Sequence, residues 1–160
     1  MVASGVKFEF QVDGEAQLVR ALSRYGDKIG DMTPYFRSVA KLLSQIIRQQ
    51  FDSEGGRTDA WRPLSPEYAA WKMRQVGSKP ILVFSGRLRR SLVDKGEGGI
   101  EDIGRDGLRW GTGVPYAIYH QRPTGGKSPR RIIDLTEGDR EAIMKMLQRF
   151  FAEGPKEFGL

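Results

Sequence analysis

The 160-residue chain carries 26 Lys/Arg against 20 Asp/Glu, a formal charge of +6, with 39% hydrophobic residues and no cysteine. That length and apolar content suit one domain with a single core, and the lack of cysteine excludes disulfide frameworks and thiolate metal sites. The basic excess is confined: residues 57–95 hold nine Lys/Arg against three Asp/Glu, residues 120–131 hold four Lys/Arg and no acid, and residues 1–56 balance at seven each. Such islands attract either phosphate backbones or acidic faces of partner proteins. Met1 to Lys7 shows no basic region followed by an apolar run, and no segment is apolar for long enough to span a bilayer, so a soluble, non-exported protein is expected.

In chain order, Val6, Phe8, Phe10 and Val12 alternate with polar residues and predict a strand. From Glu15 the spacing of Leu18, Leu22, Tyr25 and Ile29 is helical and ends near Gly30. Thr33 as N-cap and Pro34 in the first turn open a second helix, with Phe36, Val39, Ala40, Leu43, Ile46, Ile47 and Phe51 on one face and a stop in Asp52 to Gly56. A loop to Leu64, held down by Trp61 and Leu64, precedes a helix of about Pro66 to Val76 with Ser65 as cap and Gly77 as terminator. Ile81 to Phe84 is an apolar run, after which Ser85-Gly86 turns into one or two helical turns from Arg87.

Asp106-Gly107 between Gly99–Arg105 and Leu108–Thr112 predicts a β-hairpin. Tyr116 to His120 reads as a short aromatic segment and Gln121 to Arg131 as a basic loop. Thr136-Glu137-Gly138-Asp139 opens a final helix striped by Ile143, Met146, Leu147, Phe150 and Phe151, and residues 154–160 form a tail. The elements predict an α+β fold: several helices on a small, mainly antiparallel sheet, in one domain spanning residues 1–153.

Catalytic chemistry finds little support. His120 is the only histidine and sits among Tyr116 and Tyr119, the setting of a packed histidine; Asp52, Glu54 and Asp59 lack the order of a calcium loop. Gly125-Gly126-Lys127-Ser128 lacks the first glycine of a phosphate loop and runs into Pro129. No enzyme activity, metal or cofactor is expected. Arg87, Arg89, Arg90, Trp61 and Trp71 supply cations and flat rings suited to nucleic acid, yet no sequence-reading motif can be assembled, which leaves sequence-independent DNA binding as an alternative reading.

Phe51-Asp52-Ser53-Glu54-Gly55, Trp61-Arg62-Pro63-Leu64-Ser65 with Lys72, and Ile81-Leu82-Val83-Phe84-Ser85-Gly86-Arg87-Leu88 through Leu92 occur in an order that resembles the tailed-phage virion morphogenesis family. Its members are tail-completion or head–tail joining proteins. The likeness continues through Gly113-Val114-Pro115-Tyr116-Ala117-Ile118-Tyr119-His120-Gln121 and Pro129-Arg130-Arg131.

The resemblance implies a structural virion protein of the tail or neck, made in the host cytoplasm and forming a ring, most simply a hexamer, around the DNA channel. Neighbouring neck and tail proteins and passing phage DNA would be its partners, with no membrane involved. In such a ring Trp61, Trp71, Arg87, Arg89 and Arg90 are the expected subunit or tail interface, with intramolecular packing as the competing role for the tryptophans. Arg122, Lys127, Arg130 and Arg131 are the expected DNA-channel or partner contacts.

Overall fold

The computed structural model describes residues 30–122 and 129–153. The expected strand at 6–12, the helix from Glu15, Lys127 and the tail at 154–160 lie outside the described residues. Helix α1 (Thr33–Asp52) is the central element. Its buried face is Tyr35, Val39, Ala40, Leu43, Ile46, Ile47, Gln50 and Phe51, the stripe the helical period dictates, with Tyr35 buried more deeply than Phe36.

The helix starts one residue earlier than expected. Met32 is the N-cap, Thr33 is already helical, and Asp31 Oδ1 accepts from the Thr33 N–H at 2.9 Å in place of a capping side chain. The far end closes in a Schellman motif: the Glu54 N–H donates to Phe51 O at 3.2 Å and the Gly55 N–H to Gln50 O at 2.9 Å. The left-handed residue is Glu54, at φ 48°, rather than a glycine. Gly55 also has positive φ and has no room for a side chain, since a Cβ would meet Trp61 Cδ1 at 2.5 Å.

Four further helices and a hairpin follow. Helix α2 (Pro66–Val76) is capped by Ser65 Oγ, which accepts from the Tyr68 N–H, and stops at Gly77 with φ 73°. Helix α3 (Arg87–Val93) begins after Gly86, whose φ of 80° supplies the left-handed turn. Strands β1 (Gly99–Ile103) and β2 (Leu108–Thr112) pair antiparallel, Glu101 opposite Trp110. The hairpin loop is four residues, Gly104 to Gly107, closed by the Gly104 N–H on Gly107 O at 2.8 Å, so β1 ends two residues before the expected limit. The loop's Arg105 carbonyl accepts from the Met32 N–H at 3.0 Å and ties the hairpin to the start of α1.

Tyr116 to His120, read as an aromatic segment, is instead mostly the short helix α4 (Ala117–Gln121). Helix α5 (Glu137–Glu153) opens with the expected reciprocal cap: Thr136 Oγ1 accepts from the Asp139 N–H and Asp139 Oδ2 accepts from the Thr136 N–H.

One apolar core joins α1, α3, α5 and the hairpin, with Leu43, Ile47, Phe51, Leu88, Leu92, Ile132 and Phe150 almost wholly enclosed. Inside it Ser91 Oγ and Thr112 Oγ1 share a buried 2.8 Å hydrogen bond that links α3 to β2. The fold is a small α+β domain, as the pattern predicts. Helix α2 is the exception to core packing, since Lys72 is its only buried residue.

Candidate functional site

Because α2 buries almost nothing, its large side chains stay on the surface. Trp71 is 41% exposed, Tyr68 45% and Met73 55%. Phe84, the last residue of the apolar run, is also exposed and lies face to face with the Trp71 indole, centroids 5.6 Å apart and 12° from parallel. Tyr68 also contacts Trp71, centroids 5.4 Å apart and tilted by 32°. Three rings from two segments thus form one solvent-facing stack, a large apolar area outside the core.

The stack borders an open groove of about 1200 Å³. Its walls are the start of α2 with the residues before it (Arg62 to Pro66, Tyr68), the loop Leu82 to Leu88, and Tyr116, His120 and Arg130. No carboxylate lines it. Arg130 reaches in and donates from Nε to Arg62 O at 3.0 Å and from Nη2 to Pro63 O at 3.2 Å, both neutral acceptors, and makes no ion pair among the described residues. Arg87, on the opposite wall, pairs with Glu97 at 2.7 Å. Burial, and then the nearby Arg130 charge, hold His120 below the ordinary histidine range, so at neutral pH it presents a neutral imidazole.

A polar network around Lys72, which lines the groove, ties α2 to residues 79–81. Lys72, only 4% exposed, donates from Nζ to the carbonyls of Lys79 (3.0 Å) and Pro80. Glu54, fixed by the end of α1, accepts the Ile81 N–H at 2.6 Å. Burial lowers the Lys72 pKa, the neighbouring Glu54 partly offsets that, and Lys79 adds to it. Gln121 fastens the other wall: Oε1 accepts the N–H groups of Ile132 and Ile133 while Nε2 donates to Ile133 O at 2.6 Å.

The residues expected to act as an interface do not converge as a set. Trp61 takes the competing, intramolecular role: it is 5% exposed, packs edge-on against Phe51 at 5.5 Å and donates from Nε1 to Arg131 O at 2.9 Å, so it anchors its own loop to the core. Trp71 is on the surface as expected. Helical geometry separates the three arginines of α3, with Arg87 at the groove, Arg89 paired with Asp52 at 3.0 Å, and Arg90 folded back to donate to Ser85 O at 2.9 Å.

Of the basic loop, Arg130 enters the groove, Arg131 faces Asp134 at 3.9 Å, and Arg122 is exposed. Tyr68, Phe84, Tyr116 and His120 complete the groove and were not among the expected site residues. The three-residue spacing of Tyr68 and Trp71 was the available signal for the first of these. Among the described residues no group of three His, Cys, Asp or Glu could hold a metal ion, and no helix is long and apolar enough to cross a membrane.

The described residues form a small α+β domain with an open groove beside stacked rings, lined by arginines and by no acid. The chain belongs to the phage virion morphogenesis family, whose model matches residues 13–152. It is also similar to Mu-like prophage FluMu G protein 2 of Haemophilus influenzae (strain ATCC 51907 / DSM 11121 / KW20 / Rd), 24% identical over 152 residues that cover 89% of this chain and 95% of the relative. No solved structure gives a significant match.

Proposed function

We propose that the protein is a tail-completion, tail-terminator or head–tail joining subunit at the neck or tail end, assembled as a hexameric ring around the DNA channel. The groove beside Trp71 is its contact with a neighbouring subunit or adjoining virion protein. One observation carries this reading: Trp71 and Phe84 stack on the surface beside a groove that holds Arg62, Arg87 and Arg130 and is lined by no carboxylate.

Stacked aromatics and arginine are the side chains that dominate protein interfaces, and acid-free walls suit an acidic partner face.

The test is Trp71→Ala combined with Phe84→Ala. Neither side chain belongs to the buried core, so the monomer should keep its folded circular dichroism. Loss of an interface anchor worth about 2 kcal/mol should weaken assembly roughly 30-fold, read by sedimentation of the purified protein and by electron microscopy of complemented particles. Normal particles from this variant would refute the groove as an assembly contact.

A further inference from the structure

A second charged surface lies on α1, away from the aromatic groove. Arg37, Lys41, Gln45 and Arg48 recur at helical spacing on its exposed side, Ser44 sits among them, and Lys95 closes a shallow depression of about 660 Å³ along the strip. Eleven residues of helix rise place Arg37 about 16 Å from Arg48. The only acid in the depression is Glu101, which is bound to Lys95, and Arg48 is shared with Asp94 at 3.2 Å. Arg37 and Lys41 make no ion pair with any described residue.

We propose that this strip is a binding site for the phosphate backbone of duplex DNA, read without regard to sequence. Its composition separates it from the groove. Arg, Lys, Ser and Gln are hydrogen-bond donors of the kind that contact phosphate oxygens, whereas a protein interface core needs apolar or aromatic anchors, and the exposed side of α1 offers none beside these cations. Two cations with no ion pair among the described residues, Arg37 having only the Asp31 charge nearby, and two whose surface pairs can be exchanged for phosphate, give the charge complementarity. With no ring on the strip to stack on a base, recognition is confined to the backbone. The choice of duplex DNA rests on the virion reading above, but the two can fail separately, since one is tested on particles and the other on purified protein.

The experiment is a fluorescence-anisotropy titration of the full chain with a labelled mixed-sequence duplex between about 50 and 200 mM salt. The wild type should bind with affinity that falls steeply with salt. Arg37→Gln with Lys41→Gln should flatten the log–log slope by about two, close to one per lost phosphate contact, with unchanged circular dichroism. Arg87→Gln with Arg130→Gln should leave the slope as in the wild type. The proposal is overturned if the wild type does not bind the duplex, if the α1 variant keeps the full slope, or if the groove variant loses it instead. It is equally overturned if poly-glutamate of matched charge displaces the protein as well as unlabelled duplex does, which would assign the strip to an acidic protein.

Discussion

Replacing Asp139 by Asn should be the most damaging single-atom change in the protein. Asp139 Oδ1 and Oδ2 accept from Arg57 Nη2 at 2.6 and 2.8 Å, and both side chains are largely enclosed, 11% and 17% exposed. The same carboxylate accepts from the Thr136 N–H and hydroxyl at 2.8 Å each, so it joins the loop after α1 to the start of α5. The amide retains part of the cap but leaves the Arg57 charge enclosed without a counter-ion. Breaking a fully buried pair costs about 3–5 kcal/mol, and the residual solvent contact here reduces that to about 2–3 kcal/mol.

For a chain of this size that corresponds to a fall in melting temperature of about 4–12 °C. The pH dependence is a second reading. Burial alone would raise the Asp139 carboxyl, but the hydrogen bonds from Arg57 and Thr136, with the Arg57 charge, outweigh it and hold the group below the usual carboxylate range. A depressed folded-state value means that the stabilisation is fully present above the unfolded value of about 3.9 and is lost as the pH drops through the lower folded value. Wild-type melting followed by circular dichroism should therefore steepen downward below about pH 4, and the Asn variant should lack that share of the slope. A variant within about 0.5 kcal/mol of wild type, or one with the full acid slope, would refute the assignment of Asp139 as the clasp between loop and helix.

Gly86→Val should destabilise by about 1–3 kcal/mol because a β-branched residue at φ 80° is strained; the nearest obstacle to its Cβ, Arg90 Nη1 at 2.7 Å, can swing away, and an unchanged urea midpoint would remove the argument. Trp61→Ala should cost about 3–5 kcal/mol of monomer stability, and Trp61→Phe about 1 kcal/mol for the lost bond to Arg131 O. A Trp61→Ala protein of wild-type stability that fails only in particle assembly would return Trp61 to the surface role expected of it from sequence.

How much of this was legible depends on the distance over which each signal acts. The stripe of α1, the Ser65 cap, the turn at Gly86 and the Thr136–Asp139 box are local, and each is found where the sequence places it. The N-terminal cap of α1 shifts because Asp31, two residues before Thr33, reaches the free N–H first. Trp61 was ambiguous because loop tryptophans serve surfaces and cores equally well, and only the closeness of Gly55 and Phe51 decides between them. The groove draws its side chains from residues near 62–72, 82–88, 116–120 and 130, and no periodicity connects such segments. The α1 strip was legible in principle. Residues 1–56 balance in charge, which hid it from a count, but Arg37, Lys41 and Arg48 fall on one helical face whereas Asp52 and Glu54 gather at the helix end.

The groove also explains why α2 is built as it is. A helix normally adheres to its domain through an apolar stripe, which would have consumed Trp71 and Tyr68 in the core. Here a buried ammonium replaces that stripe. Lys72 is satisfied by two loop carbonyls and by the nearby Glu54 charge, and Glu54 is itself fixed because it is the left-handed residue that ends α1. An enclosed ammonium is tolerable only when it is hydrogen-bonded, and its two bonds to the carbonyls of Lys79 and Pro80 tie α2 to the path of residues 79–81, with the Trp71–Phe84 stack beside them. Anchoring by one polar residue frees the aromatic face of the helix for contact outside the chain, and it makes the geometry of that face depend on Glu54 and Lys72 rather than on core packing.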